Sequence, residues 1–119
     1  MAAFRDVLSQ IHRKVEGARA ISLIGLDGIA IDSIADDEIP LETLSAEFGS
    51  FIKSIRLANT ELKTGQVEQF ALVTEKYVTF LSSVTEDYFI LLVIEPKGNY
   101  GRARFELRKA KYALRDELS

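Results

Sequence analysis

The sequence contains no cysteine and only one histidine, His12. Without cysteine the chain cannot form disulfides or a thiolate metal site, and such a composition fits a reducing compartment. A histidine-based metal site or a catalytic triad needs more partners than a single histidine provides. We therefore expect no metal and no cofactor, and we interpret His12 as an ordinary boundary residue beside the apolar stripe of the first helix.

Long apolar runs and a nucleotide-binding loop are also absent. The longest apolar run, Tyr88–Ile94, has the length of a strand, whereas a helix that spans a bilayer needs ~20 apolar residues. Arg5 and Asp6 interrupt the apolar stretch near the N-terminus, which does not have the pattern of a secretory signal. Neither GxxxxGKS nor GxxxxGKT occurs, so the chain is not a phosphate-loop nucleotidase. We predict a cytoplasmic protein with no membrane insertion and no active site of its own.

Basic residues are missing from one long part of the chain. Between Arg19 and Lys53 there are seven acidic residues and no lysine or arginine. We interpret these acids as a solvated loop that can face a basic partner, rather than as acid–base catalysts. The formal net charge of −3 over 119 residues argues against nucleic-acid binding. Length and composition indicate one globular domain over residues 1–119.

Hydrophobic periodicity in the first half of the chain predicts two helices and a hairpin. Apolar residues at helical spacing indicate a first helix over residues 4–15. The dipeptide Asp27-Gly28 lies between two apolar segments and supplies the positive φ angles of a tight turn, which predicts two antiparallel strands. A long middle helix should begin with Pro40 as its first helical residue and end at Gly65.

The second half predicts three strands and a final helix. Strand-like segments occupy residues 66–74, 77–84 and 88–95, and the last is apolar at consecutive positions, as in a central strand covered on both faces. Asn99 is a suitable N-cap for the final helix. The element order is α-β-β-α-β-β-β-α. We predict an α/β (α+β) fold with one five-stranded antiparallel sheet and helices on both faces.

The final helix carries a basic stripe and two aromatic residues outside its apolar face. The stripe consists of Arg104, Arg108, Lys111 and Arg115. Cations near a helix C-terminus interact favourably with the helix dipole and keep the surface hydrated, which is the ordinary interpretation of such a stripe. The alternatives are that the stripe binds a phosphate or that it acts on a nucleotide held by another protein. We expect Phe105 and Tyr112 to pack against the first helix; otherwise they are exposed.

The middle helix has a flank of small residues beside its apolar face: Ser45, Ala46, Gly49, Ser50 and Ser54. A glycine inside a helix costs ~1 kcal/mol relative to alanine, which suggests that Gly49 keeps the surface low for a close contact. A second copy of the helix could then approach about a twofold axis. The alternative is an exposed surface that happens to carry serines.

Three segments and the element order resemble the Roadblock (dynein light-chain) family, in particular its bacterial MglB-like branch of polarity regulators. The segments are ISLIGLDGIAIDS, EQFALVTEKYVTFLSSVTEDYFILLVI and NYGRARFELRKA. The resemblance extends from about Phe4 to Leu114 and implies a Roadblock/profilin-like fold. Its individual motifs are loose, but their order and the ending GRARFELRKA together are fairly specific.

The resemblance implies a homodimer in which the middle helices pack together and the third strands pair into one continuous sheet. It places the dimer contact in Leu44–Leu62 and Gln66–Thr74. The dimer-interface residues that we predict are Ser45, Phe48, Gly49, Ile52, Val67, Gln69 and Ala71.

The resemblance also implies a partner, since members of the family bind or regulate small Ras-like GTPases or serve as scaffolds. The MglB-like branch is GTPase-activating and repositions the GTPase's own residues without inserting an arginine. The expected function is therefore a homodimeric regulator of the GTP/GDP cycle of such a GTPase. The GTPase-contact residues that we predict are Glu47, Ser50, Lys53, Ser54 and Arg56.

Two other functions stay open from the sequence. One is a non-catalytic scaffold or adaptor subunit that leaves the nucleotide state of its partners unchanged. The other is a small-molecule sensor of the profilin or PAS type, which would need an apolar cavity of a few hundred Å³. The apolar filling of the strands argues against such a cavity.

Overall fold

A computed structural model describes residues 2–118 of the chain. The elements are α1 (Ala2–Lys14), β1 (Ala18–Gly25), β2 (Ala30–Ala35), α2 (Leu41–Leu62), β3 (Gln69–Val73), β4 (Val78–Ser83), β5 (Tyr88–Ile94) and α3 (Tyr100–Leu118). All strands are antiparallel to their neighbours, in the order β2-β1-β5-β4-β3. The predicted fold class and element order are confirmed, and β5 is the central strand, as its uninterrupted apolar sequence indicates.

The sheet separates two hydrophobic cores. Helices α1 and α3 cover one face, where Leu8, Ile21, Leu92 and Leu107 are completely buried. Helix α2 covers the other face, where Phe48 and Ile52 pack on side chains of β1, β4 and β5. Alternate residues of each strand point to opposite faces, so the central strands contribute to both cores. This arrangement leaves β2 and β3 as the two edges of the sheet.

Local signals place the first turns where the sequence predicts them. Helix α1 is followed by Gly17, which has a φ of +88°. The β1–β2 turn contains Gly28 with a φ of +82°, and the Asp27 carboxylate accepts a hydrogen bond from the Ile29 backbone N–H at 3.0 Å. His12 is partly buried on α1.

The ends of two elements differ from the predictions. Helix α2 ends at Leu62, because the Asn59 side chain hydrogen-bonds to Thr64 and to the Gly65 carbonyl and so holds this segment in a turn. Lys63, not Gly65, takes the left-handed C-cap conformation, with a φ of 55°. At the other end Pro40 is the N-cap residue and precedes the first helical residue.

Strand β3 is shorter than the predicted segment 66–74. Residues 66–68 carry the chain from the end of α2 to the sheet, and within them Val67 packs on the core under α2. The Glu68 carbonyl reaches the neighbouring strand, where it accepts a hydrogen bond from the Ser83 N–H at 2.8 Å. The apolar alternation continues beyond the strand itself, so the predicted segment is longer than β3.

The N-cap of α3 provides a first test of this fold. The Asn99 side-chain oxygen accepts a hydrogen bond from the Arg102 N–H at 2.9 Å, which satisfies a donor that the helix itself leaves free. We expect Asn99→Ala to lower the free energy of unfolding by about 1 kcal/mol and Asn99→Ser to retain most of it. Urea denaturation followed by circular dichroism measures both, and equal losses in the two variants would contradict the capping role.

Candidate interaction surface

The inner face of α2 carries four of the residues predicted for the dimer interface, and all are buried in the protomer. Ser45 is 1% exposed, and Phe48 and Ile52 are 2% exposed each. Gly49 is buried as well. These residues pack on their own sheet, so their side chains are not available to a second copy. The flank of small residues thus belongs in part to the inner face, which helical periodicity by itself did not separate from the outer one.

Gly49 accommodates a close contact, but with its own chain. A Cβ atom at this position would lie 3.0 Å from the Gly28 Cα and 3.1 Å from the Gly28 nitrogen. The glycine therefore lets the β1–β2 turn lie directly against α2. The contact with Gly28 accounts for the glycine without a second helix.

The remaining predicted interface residues lie in or next to β3 and are half-buried. Val67 packs on the core under α2, and Ala71 packs on the core under α3. The Gln69 side-chain amide donates hydrogen bonds to the Ser82 hydroxyl and to the Arg104 carbonyl, both at 3.3 Å. This bonding orients Gln69 along the α3 side of the sheet edge.

The outer face of α2 carries the residues predicted for GTPase contact. Glu47, Ser50, Lys53 and Ser54 are exposed. Arg56 is half-buried, because its guanidinium group lies 4.8 Å from the centre of the Phe89 ring. The face therefore offers both charge signs and two hydroxyl groups to a partner, while Arg56 also contributes to packing inside the protomer.

The two sheet edges differ in their protection against pairing with another strand. On β2 the register shifts opposite Leu23 and Ile24, the Arg5 guanidinium donates a hydrogen bond to the Ser33 carbonyl at 3.1 Å, and Arg5 pairs with Asp32 at 2.7 Å. Bulges and charges of this kind disfavour edge-to-edge pairing. Strand β3 (QFALV) pairs with β4 in unbroken register and has no charge and no proline. Its edge is open.

An apolar surface adjoins this open edge, and we call it the α2–β3 patch: Phe51, Phe70 and Leu72. Phe51 is 40% exposed and Leu72 is 43% exposed. The Phe51 ring centre lies 5.1 Å from that of Phe48, which in turn lies 6.3 Å from that of Phe70. The buried Phe48 thus links Phe51 on the helix to Phe70 on the edge strand, and the exposed parts of Phe51 and Leu72 are apolar surface of the kind that marks a protein contact.

The aromatic residues of α3 are exposed, so the expectation that they pack against α1 is wrong. Phe105 is 51% exposed and Tyr112 is 61% exposed. The buried side of α3 carries small and aliphatic residues together with Glu106, and at 100° per residue the two rings project from the opposite side. The Lys109 amine lies 5.6 Å from the Phe105 ring centre, and the Arg115 guanidinium lies 5.1 Å from that of Tyr112.

Several of the acidic residues have partners within the protomer. Arg19 forms ion pairs with Asp36, Glu38 and Glu95 at one end of the sheet. The hydrogen bond to Asp36, followed by the one to Glu95, raises the pKa of Arg19 above its ordinary value. Since Asp32 is paired with Arg5, the acidic segment is less available to a basic partner than its composition suggests.

A groove that is open to solvent lies beside α2 in the described part of the chain. The groove between the β1–β2 turn and the start of α2 has a volume of about 450 Å³, and the exposed residues Asp27, Ile29 and Glu42 are among those that line it. Small-molecule sites of this size usually bury most of the ligand, whereas this groove leaves one side open to solvent.

In residues 2–118 no group of three or more histidine, aspartate or glutamate side chains is placed to hold a metal ion. None of the described helices combines the length and apolarity that crossing a membrane requires.

Comparison with known proteins identifies the family. No family model matches the chain, and a comparison with curated protein sequences gives no match. Among solved structures, MglC from Myxococcus xanthus is 35% identical, with 97% of this chain and 98% of that chain covered and a TM-score of 0.69. The gliding protein MglB from Thermus thermophilus is 18% identical, with 97% and 87% covered and a TM-score of 0.86. A Roadblock/LC7 domain from Streptomyces avermitilis is 15% identical, with 94% of each chain covered and a TM-score of 0.86. At 15% and 18% identity the likeness shows a shared fold. The match to MglC, at 35% identity, spans nearly the whole of both chains. The chain therefore belongs to the Roadblock family.

Proposed function

We propose that this protein is a homodimer that binds a small Ras-like GTPase and modulates its GTP/GDP cycle, with activation of GTP hydrolysis as the favoured mode. The observation that carries the proposal is the α2–β3 patch beside an open sheet edge. An unprotected edge and an exposed apolar surface together need a partner, and a second copy can cover both at once. The similarity to MglB and MglC gliding proteins supports a regulatory role.

The open edge is suited to antiparallel pairing about a twofold axis. The Glu68 carbonyl and the Thr74 N–H form hydrogen bonds on the side of β4, so alternation along the strand directs the backbone groups of Gln69, Ala71 and Val73 outward. Pairing of two β3 strands would join the two sheets into one. The α2–β3 patches of the two copies would then meet on the same side, so Phe51, Phe70 and Leu72 replace the buried residues of α2 in the proposed interface.

A dimer of this kind can act on a partner without a reactive site of its own. The two α2 helices would lie on the same face of the joined sheet and present two copies of Glu47, Ser50, Lys53 and Ser54. One GTPase could then contact residues from both protomers, and the wide platform would hold its mobile loops in one conformation. Stabilising one conformation of a partner changes the partner's reaction rate without a catalytic group from the regulator.

The proposal is tested with a Ras-like GTPase from the same organism. Single-turnover GTP hydrolysis and nucleotide release are timed with and without the protein, which separates activation from exchange. We expect faster hydrolysis and measurable binding. Binding with both rates unchanged would favour a scaffold, and absence of binding would refute the proposal.

Lys53→Glu tests the contact face. Because Lys53 is exposed on the outer face of α2, reversing its charge should leave the fold intact and weaken GTPase binding about tenfold. Lys97→Glu, at an exposed position in the loop before α3, makes the same charge change away from this face. Isothermal titration calorimetry of both variants should show a loss for Lys53→Glu only; equal affinities would move the contact elsewhere.

A further inference from the structure

We propose that the two α3 helices of the dimer form a basic trough over the seam between the paired β3 strands, and that this trough binds an acidic segment of a partner protein. The basic row is the basic stripe of the final helix, and it consists of Arg104, Arg108, Lys111 and Arg115. The inference rests on the homodimer proposed above and concerns the face of the sheet opposite α2. One protomer carries only one wall of the trough.

The basic row lies on the side of α3 that faces the open edge. The Arg104 carbonyl accepts a hydrogen bond from the Gln69 side chain of β3 at 3.3 Å. Arg108 and Lys111 line a groove of about 300 Å³ whose other residues come from β3, β4 and the segment before β3. Helix α3 packs on β4 and β5, so the sheet extends past it by one strand towards the edge.

Within residues 2–118 the cations of the row are not neutralised by carboxylates, since none of the four forms an ion pair with one. Arg102 and Lys109, on the other side of α3, do pair with the buried Glu106, at 3.1 and 3.5 Å. In the groove itself Glu68 is the acidic residue among those that line it. The α3 side of the edge is therefore basic although the whole protein is acidic.

The dimer brings two such rows together. Strands in a sheet are about 4.8 Å apart, so a helix above β4 and β5 lies about 10 Å from the seam, and the two helix axes are about 20 Å apart. With helix diameters of about 10 Å, a trough about 10 Å wide remains between them. Gln69, Ala71 and Val73 of each copy form its floor, because alternate residues of β3 share this face. The twofold axis makes the two walls antiparallel.

The shape of the trough favours an extended acidic segment. The helix rises about 16 Å between Arg104 and Arg115, a distance that about five extended residues cover. Successive side chains of an extended chain point to opposite sides, so acidic residues would meet both basic walls. A flat anionic bilayer cannot enter a trough about 10 Å wide, whereas an extended segment can.

The experiment uses a fluorescent oligo-glutamate peptide of about eight residues and the full-length protein. Anisotropy titrations at low and high salt compare the wild type with Arg108→Glu/Lys111→Glu. The control is Arg13→Glu/Lys14→Glu, which makes the same charge change at exposed positions on α1. Light scattering establishes the oligomeric state of each protein, and thermal melting followed by circular dichroism establishes that each is folded.

We expect the wild-type dimer to bind the peptide in a salt-sensitive manner, the trough variant to bind at least about tenfold more weakly, and the control to change by no more than about twofold. A dimer that does not bind the peptide, or equal losses in both variants, would overturn the trough and leave the proposed dimer standing. A monomeric wild type would overturn both. Binding to phosphatidylserine vesicles in place of the peptide would assign the basic row to a membrane surface instead.

Discussion

Leu72→Lys should convert the dimer into single protomers. Leu72 is 43% exposed in the protomer, so a lysine there can extend into water and leave the fold intact. In the proposed dimer the same side chain would lie in the α2–β3 patch that the two copies cover. Each copy would then bury an unpaired ammonium group in an apolar contact, which costs several kcal/mol. Sedimentation velocity across a concentration series measures the change in association.

The control for this variant is Ile29→Lys, which places the same charge near the protected edge of the sheet. Ile29 is 67% exposed next to the β1–β2 turn. We expect Ile29→Lys to sediment as the wild type does. If Leu72→Lys remains dimeric, β3 is not the dimer contact; if both variants dissociate, the effect comes from net charge and not from the α2–β3 patch. Loss of GTPase regulation should accompany dissociation, because each protomer presents only half of the proposed platform.

Gly28→Ala should be the most destabilising of the substitutions considered for the protomer. Gly28 has a φ of +82°, a conformation that alanine adopts only with strain. The added Cβ would also lie 2.9 Å from the Ala46 Cα and 3.0 Å from the Ser45 carbonyl oxygen. Both are backbone atoms of α2, so relief requires the helix to move away from the turn. Strain and overpacking together should lower the free energy of unfolding by about 2–5 kcal/mol.

Gly65→Ala separates the two causes. Gly65 has a φ of +94°, but a Cβ there would meet no atom within 4 Å. We expect it to cost about 1–2 kcal/mol, from backbone strain alone. Guanidinium denaturation of both variants yields the two losses, and the difference between them is the contribution of the turn–helix contact. A difference near zero would show that α2 and the β1–β2 turn are not rigidly packed.

The number, order and type of the elements could be predicted because each depends on residues close together in the chain. Helical spacing of apolar residues, the Asp27-Gly28 turn, the Asn99 cap and the uninterrupted apolar sequence of β5 all operate over a few residues. The family resemblance indicated in addition that the middle helix and the third strand meet a partner. These predictions needed no knowledge of how the elements pack.

Tertiary structure decided which side of each element is used. The periodicity of α2 includes Gly49 on a flank, but only the position of the β1–β2 turn shows that this flank faces inward. Asn59 ends α2 before the glycine that ought to end it, through contacts with a segment already outside the helix.

The sequence by itself determined the α-β-β-α-β-β-β-α order and the central strand. Only the tertiary structure decided that β2 is protected and β3 is open, that Phe105 and Tyr112 point to solvent, and that the basic row of α3 faces the open edge. The physical reason is range. A local pattern specifies a helix or strand and its apolar side, whereas the neighbour that each flank meets depends on strand order and helix tilt, which long-range contacts set.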